Sequence, residues 1–490
     1  MLSKLVVYFK NICTVDLRSL ALMRILIAIT LAVDLIIRVF NIRAHYSDQG
    51  ILPLEALFRY AWNQYHFSLY TTGTIWQWQL LLFVLNFICI FCLLIGYRTR
   101  LFTCLCWLFI LSLHNRNPLI HQGGDDLLRL ILFWAMFMPW GYYFSVDAQR
   151  NKSENSAKNY TGLAVLGYML QVMYVYLFSA FLKNSAEWNS EYTALYYALS
   201  FDQIVLPFGK WLYQFSGFLR MMTAAVYYTE FYVPFLLLIP VGTKYFRIIF
   251  IVVMLGLHVG ISISLNVSIF PLIAVTAMAA LIPGSLFENR KIAQAISNIG
   301  RNLKFFGNIH TRELPKPSES FLIKNVMVFF IFYVLAWNLT TLGKKPFLST
   351  GNLEWIGHLL RVDQHWGMFA PAVFKDDGWF VFEGELDNKK KIDPVSGKAH
   401  TPAVRPAGMQ PFFRSDRWRK YSENFLFVVN GHYRPYFCFY LIHSWNRKNE
   451  QTKMRALKIF YVKEVSLPNY QTGKPLKEEL CSCELYPAKK

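Results

Sequence analysis

The chain is a succession of long apolar runs separated by short polar ones. The runs cover 17–39, 75–97, 101–113, 119–138, 162–183, 219–240, 246–264, 269–283 and 322–342. A helix needs about 20 residues to cross roughly 30 Å of hydrocarbon. The pattern therefore predicts an α-helical multi-pass membrane bundle of about nine transmembrane helices, with the third and eighth runs short. The first run is followed by no small-residue cleavage site and is interrupted by Arg24 and Asp34, so it reads as an anchor rather than a removed signal peptide. Beyond residue 342 the period changes. Residues 379–386 and 455–465 alternate with period two, as half-buried strands do, with Asp387-Asn388 as a turn; 433–443 fits a helix or a buried strand. The stretch 384–414, rich in Lys, Pro and Gly, reads as a mobile loop. The predicted organisation is a cytoplasmic segment 1–16, a helical membrane domain 17–285, a basic cytoplasmic loop 286–321, a last transmembrane helix 322–342 and a C-terminal extracytoplasmic α+β domain 343–490, lying against the membrane.

Composition agrees with a bilayer protein. Of 490 residues, 54% are hydrophobic and 16% charged, against about 25% charged in soluble domains. The net charge of +20 would by itself suggest nucleic acid. Its distribution suggests topology instead. Segments 1–18, 98–100, 139–160, 241–247 and 284–321 hold 16 basic residues, while the intervening segments of the first 342 residues hold four: Arg43, Arg59, Arg116 and Lys210. Basic loops stay cytoplasmic, so the amino terminus is expected inside the bacterial inner (plasma) membrane. The tail, with 24 basic and 15 acidic residues, is expected outside. Membrane lipids are the expected partners, and nucleic acid is not.

Ionisable groups within apolar runs are costly and by default mark a functional interior. Arg24, Asp34, Asp125, Asp126, Arg129, Glu230 and His258 are such groups. Asp125 and Asp126 precede Arg129 by four and three residues and can neutralise it from one helix face. Glu230 needs a cation, with Arg24 and Arg129 as candidates. An ion-pair network tying helices together accounts for Arg24, Asp125, Asp126, Arg129 and Glu230 without invoking chemistry. Cysteines add little: Cys89, Cys92, Cys104 and Cys106 fit packing, and Cys438, Cys481 and Cys483 allow one disulfide with one thiol left over. His114 and His121 match no common metal-site spacing, and no metal is expected.

The end of the fifth run, Phe178-Ser-Ala-Phe-Leu-Lys-Asn-Ser-Ala-Glu-Trp188, has two readings. Lys183 is either a snorkelling lysine beside an interfacial Trp188, or a base at the edge of a low-dielectric cavity, where desolvation favours the neutral amine. Glu187, four residues on, shares its face if the helix continues. The stretch Leu182-Lys-Asn-Ser-Ala-Glu-Trp188 resembles the Lys-Leu-Asp-Ala-Asp-Trp segment of the vitamin K-dependent gamma-glutamyl carboxylase family, with Lys183 on the lysine that is the family's base and Glu187 in place of an Asp. Ser145-Val-Asp147 and Leu257-His258 with Ser264, Ser268, Ile269 and Phe270 are similar to further family segments. Residues 15–285 resemble the HTTM domain, the carboxylase-like membrane domain of bacteria, through Tyr46-Ser-Asp-Gln-Gly-Ile-Leu-Pro53, Asn117-Pro118, Gly123-Gly-Asp125 and Ala194-Leu-Tyr-Tyr-Ala198. Gln364-His-Trp-Gly-Met-Phe-Ala-Pro371 and Arg417-Trp-Arg-Lys-Tyr421 resemble the tails of bacterial members.

The resemblance implies a lysine-base enzyme using a reduced naphthoquinone, oxygen and a quinol or peptide substrate. Lys183 would be the base, Glu187 its tuning group and His258 a polar group lining the cavity. Two departures bear on the activity. Gln122-Gly-Gly-Asp-Asp126 stands where the family carries a functional histidine, and the tail does not resemble the family's lumenal substrate-capturing region. Two other readings stay open: a non-enzymatic membrane anchor or assembly scaffold whose outer domain binds a partner or anionic lipid, and a transporter, although no repeat or paired broken helices are evident.

Overall fold

The computed structural model describes residues 2–148, 158–289, 320–343, 348–399, 405 and 415–485. Most of the basic loop 286–321, and the part of the predicted loop 384–414 beyond residue 399 apart from Arg405, lie outside the described residues. Each of the nine apolar runs contains a helix. α1 (Leu2–Ile12) and β1 (Thr14–Asp16) lead into α2 (Leu17–Val39), whose first turn is capped by the Asp16 carboxylate accepting from the Arg18 amide at 2.8 Å. The short helices α3 (Ile42–Tyr46) and α4 (Leu54–Tyr60) precede α5 (Trp76–Ile95), α6 (Thr99–Arg116) and α7 (Gly123–Ala135). β2 (Asn159–Thr161) pairs antiparallel with β1 and opens onto α8 (Leu163–Leu182). The next elements are α9 (Ala186–Asn189), α10 (Ala194–Leu199), α11 (Pro207–Tyr213), α12 (Ser216–Tyr232), α13 (Thr243–Ser264), α14 (Phe270–Met278) and α15 (Phe321–Thr340).

Six segments are long and apolar enough to cross a membrane: α2, α5, α8, α12 with its 3-10 extension to Leu238, α13 and α15. The exposed sides of α5, α12 and α13 carry large apolar residues such as Ile88, Met221 and Val252, the face a helix turns to lipid. Of the other three, two differ from the expectation, and the eighth is short as expected. α6 is longer than its apolar run, with 18 residues, because a polar last turn through Arg116 stays helical and buried. α7 has 13 residues and is buried at every position from 127 to 135, as a core helix enclosed by its neighbours. α14 has nine residues.

The described parts of the segments that carry the basic bias meet at one end of the bundle. Arg247 donates to the carbonyls of Ile12 and Thr14 at 2.7 Å, Arg18 to Gly284 at 3.1 Å, and Leu17 N to Lys158 O at 2.9 Å. At this end α5 stops at Gly96 (φ +69°), where a Cβ would lie 2.3 Å from Ser145 and 2.8 Å from an Arg24 nitrogen, so only glycine fits. The tail docks at the opposite end.

In the tail, α16 (Glu354–Leu360) is followed by a four-stranded antiparallel sheet of order β4-β3-β5-β6, formed by β3 (Trp379–Leu386), β4 (Lys391–Ile392), β5 (Met454–Lys463) and β6 (Leu476–Glu484). α17 (Asp416–Leu426) and α18 (Arg434–Lys448) lie between β4 and β5 in the chain. The stretch 433–443 is thus a helix, and the first described part of the predicted loop forms the β3–β4 hairpin. A disulfide joins Cys438 on α18 to Cys483 on β6, leaving Cys481 free. The tail does not merely rest against the bundle. One continuous apolar core runs from Leu31 and Leu128 of the bundle to Phe437 and Ile459 of the tail.

Candidate functional site

The buried charges sort into two groups at the seam between bundle and tail. The first is a lattice. Asp34 accepts from Arg38, one helical turn on, at 2.7 Å and from Arg417 of α17 at 2.6 Å. Asp125 accepts from Arg38 at 2.6 Å, from Arg417 at 2.5 and 2.8 Å, and from the Gln122 amide at 3.0 Å. These four side chains are each under 5% exposed. Although burial and the neighbouring Arg38 pull the Arg417 guanidinium down, Asp125 and Asp34 hold its pKa above the ordinary value. The expected neutralisation of Arg129 by both aspartates is therefore half right. Asp126 pairs with Arg129 at 2.9 Å, and Asp125 is taken by Arg38 and Arg417. Arg129 also donates to the Asp363 carbonyl of the tail at 2.8 Å. Arg24 belongs to neither group. It donates at 2.5–3.3 Å to the carbonyls of Leu93, Leu94, Trp140 and Phe144, closing the open C-terminal end of α5.

The second group faces a cavity of about 630 Å³ lined by bundle and tail together. α8 ends at Leu182, and Lys183 caps it, its amide donating to the carbonyls of Ser179 and Ala180 at 3.2 Å. The Lys183 side chain turns inward, 4% exposed, to form an ion pair with Glu230 of α12. Its ammonium also sits 4.6 Å from the ring centre of Trp188. Glu230 thus finds its cation in Lys183 rather than in Arg24 or Arg129. Lys183, Glu230, Ser179, His121, Gln122 and Asp126 line the cavity, together with the apolar side chains of Phe270, Ile261 and Val267. His121 Nε2, buried and without a hydrogen-bond partner among the described residues, lies 3.5 Å from the Asp126 carboxylate. His365, Phe369 and Phe374 close the cavity from the tail, and burial lowers the pKa of the His365 imidazole.

No family model, curated protein or solved structure matches the chain.

Three expectations change on this geometry. The helix does not continue past Lys183, so Glu187 on α9 does not share its face. Glu187 instead accepts from the Val373 amide at 3.1 Å and pairs with Lys375 at 2.6 Å, both in the tail. Trp188 is buried, its indole donating to the Phe369 carbonyl at 2.9 Å, and is not an interfacial anchor. His258 does not line the cavity. It stands behind it, with Nε2 2.9 Å from the Tyr176 hydroxyl and its ring edge-on to Phe270.

His114, His121 and Asp125 bring possible metal-ligating atoms within 4.8 Å of one another. Both Asp125 oxygens already accept from Arg38 and Arg417, and Arg129 Nη1 stands 3.5 Å from His114 Nδ1. A dication there would face three guanidinium groups, so the lattice uses these atoms to hold arginines.

Arg38, Arg417 and the His121–Asp126 pair escaped the reading of the sequence. Arg38 carries a local signal, its four-residue spacing from Asp34. Nothing near Arg417 distinguishes it from Arg419 or Lys420 as the residue that enters the bundle.

Proposed function

We propose that this chain is a membrane enzyme of the HTTM, carboxylase-like kind in which Lys183 is the base. The observation that carries the reading is the burial of Lys183 beside Glu230 in a cavity of about 630 Å³ rather than in open solvent. The snorkelling alternative requires an exposed ammonium, which this side chain does not have. Apolar and polar side chains lining one cavity suit a flat apolar ring bearing hydroxyl groups. A reduced naphthoquinone would supply both the acidic hydroxyl and the electrons that oxygen accepts. Once its own proton has passed to the Glu230 carboxylate it pairs with, Lys183 takes the hydroxyl proton at Nζ, and the resulting ammonium faces the Trp188 ring. The apolar side chains of Phe270, Ile261 and Val267 lower the polarity around these groups, which strengthens each of these interactions. His121 and Asp126, which line the same cavity, supply an imidazole–carboxylate pair beside the amine–carboxylate pair of Lys183 and Glu230.

The same reading places the amino terminus in the cytoplasm and the tail outside the bacterial inner membrane. Its support is the clustering of basic segments at one end and a tail disulfide, which oxidising compartments favour. The experiment is incubation of the purified protein with reduced naphthoquinone, oxygen and bicarbonate. Quinone epoxide that falls at least 100-fold in Lys183→Ala is expected, in keeping with the loss of a general base. Absence of product, or equal product from the variant, removes the reading for those substrates. The scaffold reading draws on the Asp34–Arg38–Asp125–Arg417 lattice, which ties the tail to the bundle without lining the cavity.

A further inference from the structure

The tail segment 367–376 is joined to the loop that follows Lys183 by three hydrogen bonds and an ion pair. The Ser185 amide donates to Pro371 O at 3.3 Å, the Trp188 indole to Phe369 O at 2.9 Å, and the Val373 amide to Glu187 at 3.1 Å. Lys375 completes the set, 2.6 Å from Glu187 and 4.4 Å from the ring centre of Tyr197 on α10. The Glu187 side chain is 9% exposed and that of Lys375 40%, so the pair closes the seam from the solvent side. Glu187 raises the pKa of Lys375 by hydrogen bonding to its ammonium. α9 is only four residues long and cannot hold its place by its own backbone bonds. Its position, and with it that of Trp188 over the Lys183 ammonium, therefore depends on what packs against it: α12 and the cluster of Ala194, Tyr197 and Leu219 from the bundle, and segment 367–376 from the tail.

We infer that Glu187 and Lys375 form a latch by which the tail controls access to Lys183. With the latch closed, segment 367–376 seats Trp188 and shields the lysine; with it open, α9 and Trp188 lift and Lys183 becomes reachable from the seam. Glu187 is on this account a positioning residue that acts through Trp188, without touching Lys183. The inference deepens the reading of Lys183 as the base and adds regulation by the outer domain.

Acylation of lysines tests it without any turnover. The full chain in lipid nanodiscs is exposed to a membrane-permeant N-hydroxysuccinimide acetate, and the rate at each lysine is read by peptide mass spectrometry. In the wild type, Lys183 is expected to label far more slowly than Lys210, whose side chain is 56% exposed. Lys375→Met and Glu187→Gln are each expected to speed Lys183 labelling about 5- to 30-fold, the population change that loss of such an interaction produces. Lys375→Arg keeps the pair and the slow rate. Lys477→Met, which removes a distant ion pair with Glu383, is expected to leave Lys183 slow. Unchanged labelling in both latch variants overturns the inference, as does an equal rise in Lys477→Met, which marks general loosening. A product assay that fails while the latch variants still expose Lys183 sinks the base reading and leaves the latch standing.

Discussion

Lys183 and Glu230 show how much a single side-chain pair can weigh when both partners leave water. Lys183 is 4% exposed and Glu230 11%. Removing one partner of a buried pair leaves an uncompensated charge and costs about 3–5 kcal/mol, whereas replacing both with apolar groups of similar size is often neutral. Glu230→Gln is therefore expected to lower the thermal unfolding temperature in detergent markedly. The double variant Lys183→Met/Glu230→Leu is expected to recover most of the loss. A single variant as stable as the wild type would show that the pair is not buried as described. The pairing itself was out of reach of sequence reading. Glu230 announces a need for a cation by sitting in an apolar run, but which of several cations answers depends on how α8 and α12 cross. The two residues are 47 positions apart and belong to different helices.

At the scale of elements, α17 is the most informative. It enters the structure as an amphipathic helix whose Arg417 reaches Asp34 on α2 and Asp125 on α7, while Trp418 donates to Asn41 at 3.0 Å. The guanidinium serves four acceptor contacts at once, including the Ile120 carbonyl at 3.0 Å, a fork that an ammonium cannot reproduce. Arg417→Met is expected to cost about 3–5 kcal/mol by leaving two aspartates short of a cation. Arg417→Lys should recover only part of this. The measurement is the unfolding temperature together with protease sensitivity of the tail. A Lys variant equal to wild type would argue that charge alone, without the fork, holds α17. The helices that resemble transmembrane spans were legible because their apolar runs need no partner to be recognised. α7 was legible as a run yet not as a core helix, since enclosure on every side depends on its neighbours.

For the molecule as a whole, the seam between tail and bundle is where pH should act. Asp377 of the tail accepts from the Asp202 amide at 2.9 Å, and Arg405 bridges Asp202 at 2.7 Å and Asp377 at 2.8 Å and also pairs with Glu464. Burial first, and the Asp202 carboxylate second, raise the Asp377 carboxyl from 3.8 to about 7, against the opposing pull of Arg405. The folded protein then holds a proton that the unfolded chain releases, so stability falls as pH rises from about 4 through about 7. The unfolding temperature is expected to be lower at pH 8 than at pH 5.5. Asp377→Asn, which keeps the acceptor for Asp202 N, is expected to flatten that difference. A slope unchanged by the substitution would assign the pH dependence to another group.

What the sequence by itself determined is the helices of the apolar runs and two strands of the tail. Apolar runs specify helices that must leave water, and period-two alternation specifies β3 and β5; both are local consequences of burying one side or all sides of a segment. It also marked Lys183, Glu230, Asp125, Asp126 and Arg129 as misplaced charges, because the cost of burying an ion is independent of what eventually pays it. Only the tertiary structure decided their partners. Arg417 meets Asp34 across 383 positions, Glu187 turns to Lys375 rather than Lys183, and His121 faces the same cavity as Lys183. Those choices depend on where helices cross and where the tail docks, and such distances are set by packing throughout the fold rather than by neighbours along the chain.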